Sequence, residues 1–446
     1  MSSAGKELTK GAVRKTMLLF AGPMILGNLL QQCYNIADTW IVGRFLGAGA
    51  LASVGAAYTL MTFLTSVIIG LCMGSGSVTA FYFGKKDNRQ MKGALLASFL
   101  FAGAVSIAVN IFVFAGVEPI LILLRVPSEL NGMMREYVWK IFFGIFFVFL
   151  YNYFSFALRA VGNSAVPLFF LGASTVLNIL LDYVFVAPLS RGIGGAAEAT
   201  VLSQVFAGAG IGIYTWVKEP LLRFGRKDFG AAKKTFAEVV RFSLAASVQQ
   251  SVMNFGILMI QGLVNSFGTA VMAAFAVAVK IDSFAYMPAQ EFANAFSIFI
   301  SQNHGAGKKE RVKEGVREAG KTSVFFCLAV SAVIFAFAPQ LMQIFVKAEE
   351  TQIIGIGTGY LRVEGCFYCG IGILFLLYGY YRAIGKPEMS VVLTVISLGT
   401  RVLLAYALAP LPQIGVWGIW WAIPIGWFLA DVTGILYMRK MQIMSK

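Results

Sequence analysis

Twelve apolar segments, each long enough to cross a bilayer, dominate the chain. They fall at about residues 16–38, 52–83, 93–115, 137–158, 165–187, 193–217, 238–262, 270–301, 322–346, 358–381, 388–409 and 415–438. Hydrocarbon offers no hydrogen bonds, so a spanning segment of roughly 20 apolar residues must satisfy its backbone internally, as a helix. The expected fold class is therefore an all-α membrane protein with twelve transmembrane helices. With 58% hydrophobic and only 13% charged residues, the composition lies far from that of a soluble domain.

A net charge of +15 resembles a nucleic-acid footprint until the charges are placed. With the N-terminus inside, 27 of the 36 Lys and Arg residues fall in the inner segments. They include Lys6 to Lys15, Lys85 to Lys92, Lys218 to Arg241, Lys308 to Lys321, and Arg439 to Lys446. Arg44, Arg125, Arg135, Lys140, Arg191, Lys347 and Arg362 fall outside. That asymmetry predicts a multi-pass membrane protein with both termini cytoplasmic, no nucleic-acid partner, and basic loops against anionic lipid.

The chain also repeats. Gly84-Lys85-Lys86 and Gly307-Lys308-Lys309 are 223 residues apart, as are Arg159-Ala160-Val161-Gly162 and Arg382-Ala383-Ile384-Gly385, and Gly192-Ile193 and Gly415-Val416. Gly47 and Ala52 match Gly268 and Ala273 at an offset of 221. Duplication of a six-helix unit predicts an N-lobe at 1–217, a basic linker at 218–237 and a C-lobe at 238–446, related as a parallel repeat around a central cleft.

The first segment carries Asn28, Gln31, Asn35 and Asp38 on one helical face. Lipid cannot face such a stripe, so it must look into protein or water. In the fifth segment Asn178 and Asp182 share a face one turn apart, at a depth similar to that of Asp38. Two carboxylates in a low-dielectric pocket call for a shared proton or a cation between them. The Asn178 amide and the Thr200 hydroxyl complete an oxygen cage suited to Na+. The alternative is a solvated helix end at Asp38 and a capping role for Asp182.

Four stretches resemble the multidrug and toxic compound extrusion (MATE) transporters. They are PMILGNLLQQCYNIADTWIVGRFLG with ALASVG (23–47, 50–55), ALRAVGNSAVPL (157–168), GIGGAAEATVLSQ (192–204) and PAQEFANAFSIFISQNHGAGKKER (288–311). The resemblance implies a twelve-helix, two-lobed antiporter of the bacterial cytoplasmic membrane that exports amphipathic, often cationic, compounds using a Na+ or H+ gradient. Asp38, Asn178, Asp182 and Thr200 match residues of the family's first, fifth and sixth helices.

The second half is not a copy. Its counterpart of the polar stripe is Gln250, Asn254, Gln261 and Asn265, without an acid, and Arg401 stands where Asn178 stands. Lys280, Asp282 and Glu291 lie in the eighth segment. These charges must pair or face water, either lining a substrate cavity with Gln31, Asn35, Gln250 and Asn254 or bridging helices as fixed ion pairs. Glu364 reads as an interfacial partner of nearby Arg362. Glu198 either joins the Asp182 cluster or favours a helix N-terminus. Tyr34 is one of several aromatic residues that suit a cleft or plain packing. Cys366-x-x-Cys369 reads as packing, and His304, the single histidine, lies in a basic loop.

No nucleophile–base pair, metal set or phosphate loop is visible, so an enzyme or a resident cofactor is not expected. The expected function is cation-coupled export of small molecules by a monomer. The alternatives are a flippase for a lipid-linked precursor and a receptor that transports nothing.

Overall fold

A computed structural model describes residues 7–123 and 128–444; Lys6, Arg125 and Lys446 lie outside them. The described residues form helices and short turns, with no strand. Helix α1 (Val13–Gly84) breaks at Gly47, whose φ of 82° and ψ of −175° end its first arm. Next come α2 (Asn88–Leu123), α3 (Ser128–Ile141), α4 (Ile145–Ala160), α5 (Ala165–Val186) and α6 (Gly192–Lys218). The remainder is α7 (Phe229–Asn265), α8 (Thr269–Gly305), α9 (Lys309–Gln343), α10 (Thr351–Cys366), α11 (Tyr368–Ala383), α12 (Pro387–Leu408) and α13 (Trp417–Met444).

Among the described residues ten helical stretches are long and apolar enough to cross a membrane, with α3 and α4 counted as one, and α10 and α11, bent by 53° at their break, make an eleventh when taken as one span. The first arm of α1 is the twelfth segment. Its amides and Asp38 set it apart from the other eleven. The tenth segment, expected as one helix over 358–381, starts earlier and is broken at Phe367, where φ and ψ of −115° and 15° leave the helical region.

The duplication reappears in the turns. Left-handed residues recur in pairs: Gly47 and Gly268, Lys86 and Gly307, Gly162 and Gly385, Gly192 and Gly415. The α4 turn closes with Asn163 N donating to Leu158 O, and the α11 turn with Lys386 N donating to Tyr381 O, both at 2.9 Å. This six-residue closure needs the left-handed residue that Gly162 and Gly385 supply. The first two pairs stand at an offset of 221 and the last two at 223. The Gly-Lys-Lys match at 223 is therefore two residues out of register with the fold, which pairs Lys86 with Gly307.

Two compact units divide the chain. The first holds Gly22–Ser247, and the second holds residues 9–21 with 248–444, so α1 and α7 contribute to both. The first unit packs Phe142, Phe149, Leu158 and Ile211 at its centre. The second is built around Trp420, stacked on Phe275 at 5.6 Å and edge-on to Tyr360 at 4.9 Å.

Candidate functional site

In the first unit, two one-turn pairs converge: Tyr34 and Asp38 on α1, Asn178 and Asp182 on α5. Residues four apart lie on one helical face, so each helix presents two oxygen-bearing side chains in register. Helix α6 packs against α5 and brings Thr200. The carboxyl groups of Asp38 and Asp182 stand side by side. Asn178 Nδ2 donates to Thr200 Oγ1 at 3.4 Å, and the Tyr34 hydroxyl lies 3.4 Å from the same oxygen. Asp182 is 0% exposed and Asn178 1%. The structure thus brings together all four residues expected to hold the coupling cation.

Most acceptor oxygens of the group have no donor. Asp38 Oδ1, both Asp182 carboxyl oxygens and Asn178 Oδ1 are buried without a hydrogen-bond partner. Buried acceptors in this state are costly, and a proton or a small hard cation is the ligand that satisfies them. Two carboxylates with neutral oxygens suit a monovalent charge. Among the described residues no group of three or more His, Cys, Asp or Glu side chains is placed to hold a metal ion.

Two tyrosines join the group. Tyr34 reaches Thr200, and Tyr137 on α3, itself buried, lies within electrostatic range of Asp38, Asp182 and Tyr34. Glu198 is not part of it. Its carboxylate takes Lys140 Nζ at 2.9 Å and Arg191 Nη1 at 2.7 Å in a half-exposed ion network.

The second unit gathers its own acids, and not in the expected set. Asp282 of α8 stands beside Glu364 of α10, with Tyr360 and Tyr368 around them and Arg401 of α12 in range. Glu364 is 1% exposed. The expected Arg362–Glu364 pair does not form: two residues apart on a helix, they point about 200° apart. Arg362 lies over the Phe335 ring at 5.4 Å instead.

Glu291 belongs to a different group. Asn294 Nδ2 donates to it at 3.3 Å, and buried Arg382 donates to Asn294 Oδ1 and Ser297 Oγ, each at 3.3 Å. Lys280 is exposed, while Gln31, Asn35, Gln250 and Asn254 are half-buried. Asn35 Nδ2 donates to the Tyr58 hydroxyl at 3.4 Å. The four charges Lys280, Asp282, Glu291 and Arg401 are thus not one network, and only Asp282 and Arg401 come together.

Among the described residues Arg401 is the cation in electrostatic range of the Asp282–Glu364 pair, so replacing it with Gln leaves two acids uncompensated. The expected cost is about 1–3 kcal/mol of stability, recovered when Asp282→Asn is added. Thermal melts of the detergent-solubilised protein check this. An unchanged melting temperature in the single variant contradicts it.

The comparisons with known proteins agree with this architecture. The sequence pattern of the MatE family matches residues 23–184 and 243–407. The probable multidrug resistance protein YpnP of Bacillus subtilis is 31% identical over 435 residues, 97% of this chain and 96% of that protein. Among solved structures, a MOP superfamily transporter from Pyrococcus furiosus, reported with a binding pocket of reverse polarity, superimposes with a TM-score of 0.93 at 25% identity, covering 100% of this chain and 99% of the other. A multidrug resistance MATE family transporter of the MOP superfamily, in an outward-facing conformation, gives 0.92 at 25% identity with the same coverage. Matched over most of its length in sequence and throughout in fold, the chain belongs to the MatE family of multidrug and toxic compound extrusion transporters.

Proposed function

We propose that the protein is a multidrug efflux antiporter that exports amphipathic, cationic small molecules in exchange for Na+ or H+. The observation that carries this reading is the pair of buried carboxyl groups at Asp38 and Asp182, three of whose four oxygens have no hydrogen-bond partner. The name of the Bacillus subtilis relative, a probable multidrug resistance protein, supports export of small molecules. The Lys and Arg asymmetry supports a bacterial cytoplasmic membrane with both termini inside.

Arrival of the cation neutralises the acids and satisfies Asn178 and Thr200. Three helices, α1, α5 and α6, meet at that point, so the change in charge is felt as a change in their packing. Alternating access follows if the neutral and charged forms favour different arrangements. Gln31, Asn35, Gln250 and Asn254 are the proposed polar contacts of the substrate.

Ethidium efflux from liposomes holding the purified protein, driven separately by a Na+ gradient and a pH gradient, tests the proposal and identifies the ion. Transport under neither gradient refutes it. Thr200→Val and Tyr34→Phe each remove one neutral oxygen near the ion. Each is expected to weaken apparent ion affinity about 3- to 10-fold, with maximal flux retained. The ion dependence of the initial rate is the measurement, and wild-type affinity in both variants places the ion elsewhere.

A second reading rests on the Asp282–Glu364 pair, which offers a buried acid site in the second unit. Flux that survives loss of Asp38 and Asp182 but disappears in Asp282→Asn or Glu364→Gln favours it.

A further inference from the structure

Helices α9, α10 and α13 enclose a groove of about 470 Å³ in the second unit. Phe335, Trp417 and Trp421 form its walls, Thr358 and Arg362 its α10 side, and Cys366 its far end. The three aromatic side chains are exposed and stand on helices that cross the membrane, so the groove opens onto the surface that lipid covers.

Two features of the groove are unexplained by packing. Thr358 is only 9% exposed, and its Oγ1 is buried with no hydrogen-bond partner. Arg362, one turn further on the same face, has the Phe335 ring at 5.4 Å, and among the described residues no carboxylate lies within ion-pair distance of it. A lipid-facing guanidinium without a counter-ion in the protein needs an anion or water at the headgroup layer. The face of α10 that carries Glu364 is turned away, so the acids of the second unit do not serve Arg362.

Depth decides which anion fits. Trp417 opens α13, and tryptophan concentrates at the membrane–water interface. Gly359 packs against the Trp417 ring: a Cβ there would lie 3.0 Å from it. Arg362 is three residues beyond Gly359, about 4.5 Å along the helix. A guanidinium at that depth reaches the headgroup layer by snorkelling.

We propose that this groove is a binding site for one anionic phospholipid. Its phosphate is held by Arg362 in a charge-assisted pair, Thr358 Oγ1 donates to a phosphate or ester oxygen, and one acyl chain lies along Trp421 toward Cys366. The occupant is a glycerophospholipid because the groove joins a single cationic and hydroxyl contact at headgroup depth to a long apolar wall.

Native mass spectrometry of the full-length protein in detergent, titrated with phosphatidylglycerol, tests this. Arg362→Gln removes the cation. Cys366→Trp fills the apolar end at an exposed position and leaves the cation in place. Both are expected to weaken binding of the first phosphatidylglycerol about tenfold, while Arg44→Gln, an exposed arginine of the first unit, binds as wild type. Wild-type binding in Arg362→Gln and Cys366→Trp overturns the proposal. So does an equal loss in all three variants, which indicates general surface attraction. Displacement of the lipid by dodecyl sulfate at equal or lower concentration reassigns the groove to free lipophilic anions.

Discussion

Asp38→Asn and Asp182→Asn are each expected to lower gradient-driven efflux by about 100-fold or more while the protein remains folded. Asparagine keeps the volume of aspartate, so packing around α1 and α5 is preserved. No lysine or arginine pairs with either carboxyl among the described residues, so neither change orphans a buried cation. Removing an acid from a buried site without donors costs no stability on that account. What disappears is the capacity to take up a charge. A 100-fold loss corresponds to about 2.8 kcal/mol, within the range expected when one of two carboxylates holding a cation is lost. If the two acids hold one ion, as proposed, the double variant should be little worse than either single one. Uphill ethidium transport at the wild-type rate in either variant refutes the assignment of Asp38 and Asp182.

The fold was largely legible because lipid leaves one solution for each apolar segment. Helix count and repeat followed from hydropathy and from Gly and Arg spacing. The break at Phe367 left no comparable mark, since no proline or charged run interrupts the apolar stretch there and Gly365 and Gly370 are ordinary in a spanning helix. The Gly-Lys-Lys match misplaced the register because identity of side chains is not identity of backbone. At the equivalent turn, Lys86 takes the left-handed conformation that Gly307 takes in the second half.

The acids and amides of the first unit were legible for the opposite reason. Polar groups in a spanning helix are expensive and therefore few. Tyr34 and Tyr137 were harder to single out among 16 tyrosines, because nothing local distinguishes a tyrosine near a carboxyl from one in the core. Glu364 was misread by proximity along the chain. Its helical angle relative to Arg362 already excluded the pair, and the same angle turns it toward Asp282. The Glu291–Asn294–Arg382 group lay beyond sequence reasoning, since it joins α8 to α11 through side chains 88 residues apart.

Gly74→Val is expected to prevent accumulation of folded protein. In the first unit the second arm of α1 meets the start of α7 at backbone distance. A Cβ at Gly74 would lie 2.2 Å from Phe242 O, and one at Gly70 would lie 2.4 Å from Ser247 Cα. Across the same contact Ser243 Oγ donates to Leu71 O at 2.9 Å and Ser247 Oγ to Val67 O at 3.1 Å. Small residues four apart on both helices are what permit this approach, and backbone atoms cannot swing aside as a side chain can. Valine therefore forces the helices apart, breaking both hydroxyl bonds and opening voids along the seam. The combined cost is about 4 kcal/mol or more, a large share of the stability of an ordinary domain. Gly262→Ala, at an open position where nothing lies within 4 Å of the new Cβ, should be neutral or mildly stabilising. Size-exclusion profiles and melting temperatures of the two variants separate these outcomes. A monodisperse Gly74→Val protein with the wild-type melting temperature refutes the close contact between α1 and α7. The same constraint explains why glycine stands at 70 and 74 in a helix where leucine or alanine would favour helix formation more strongly.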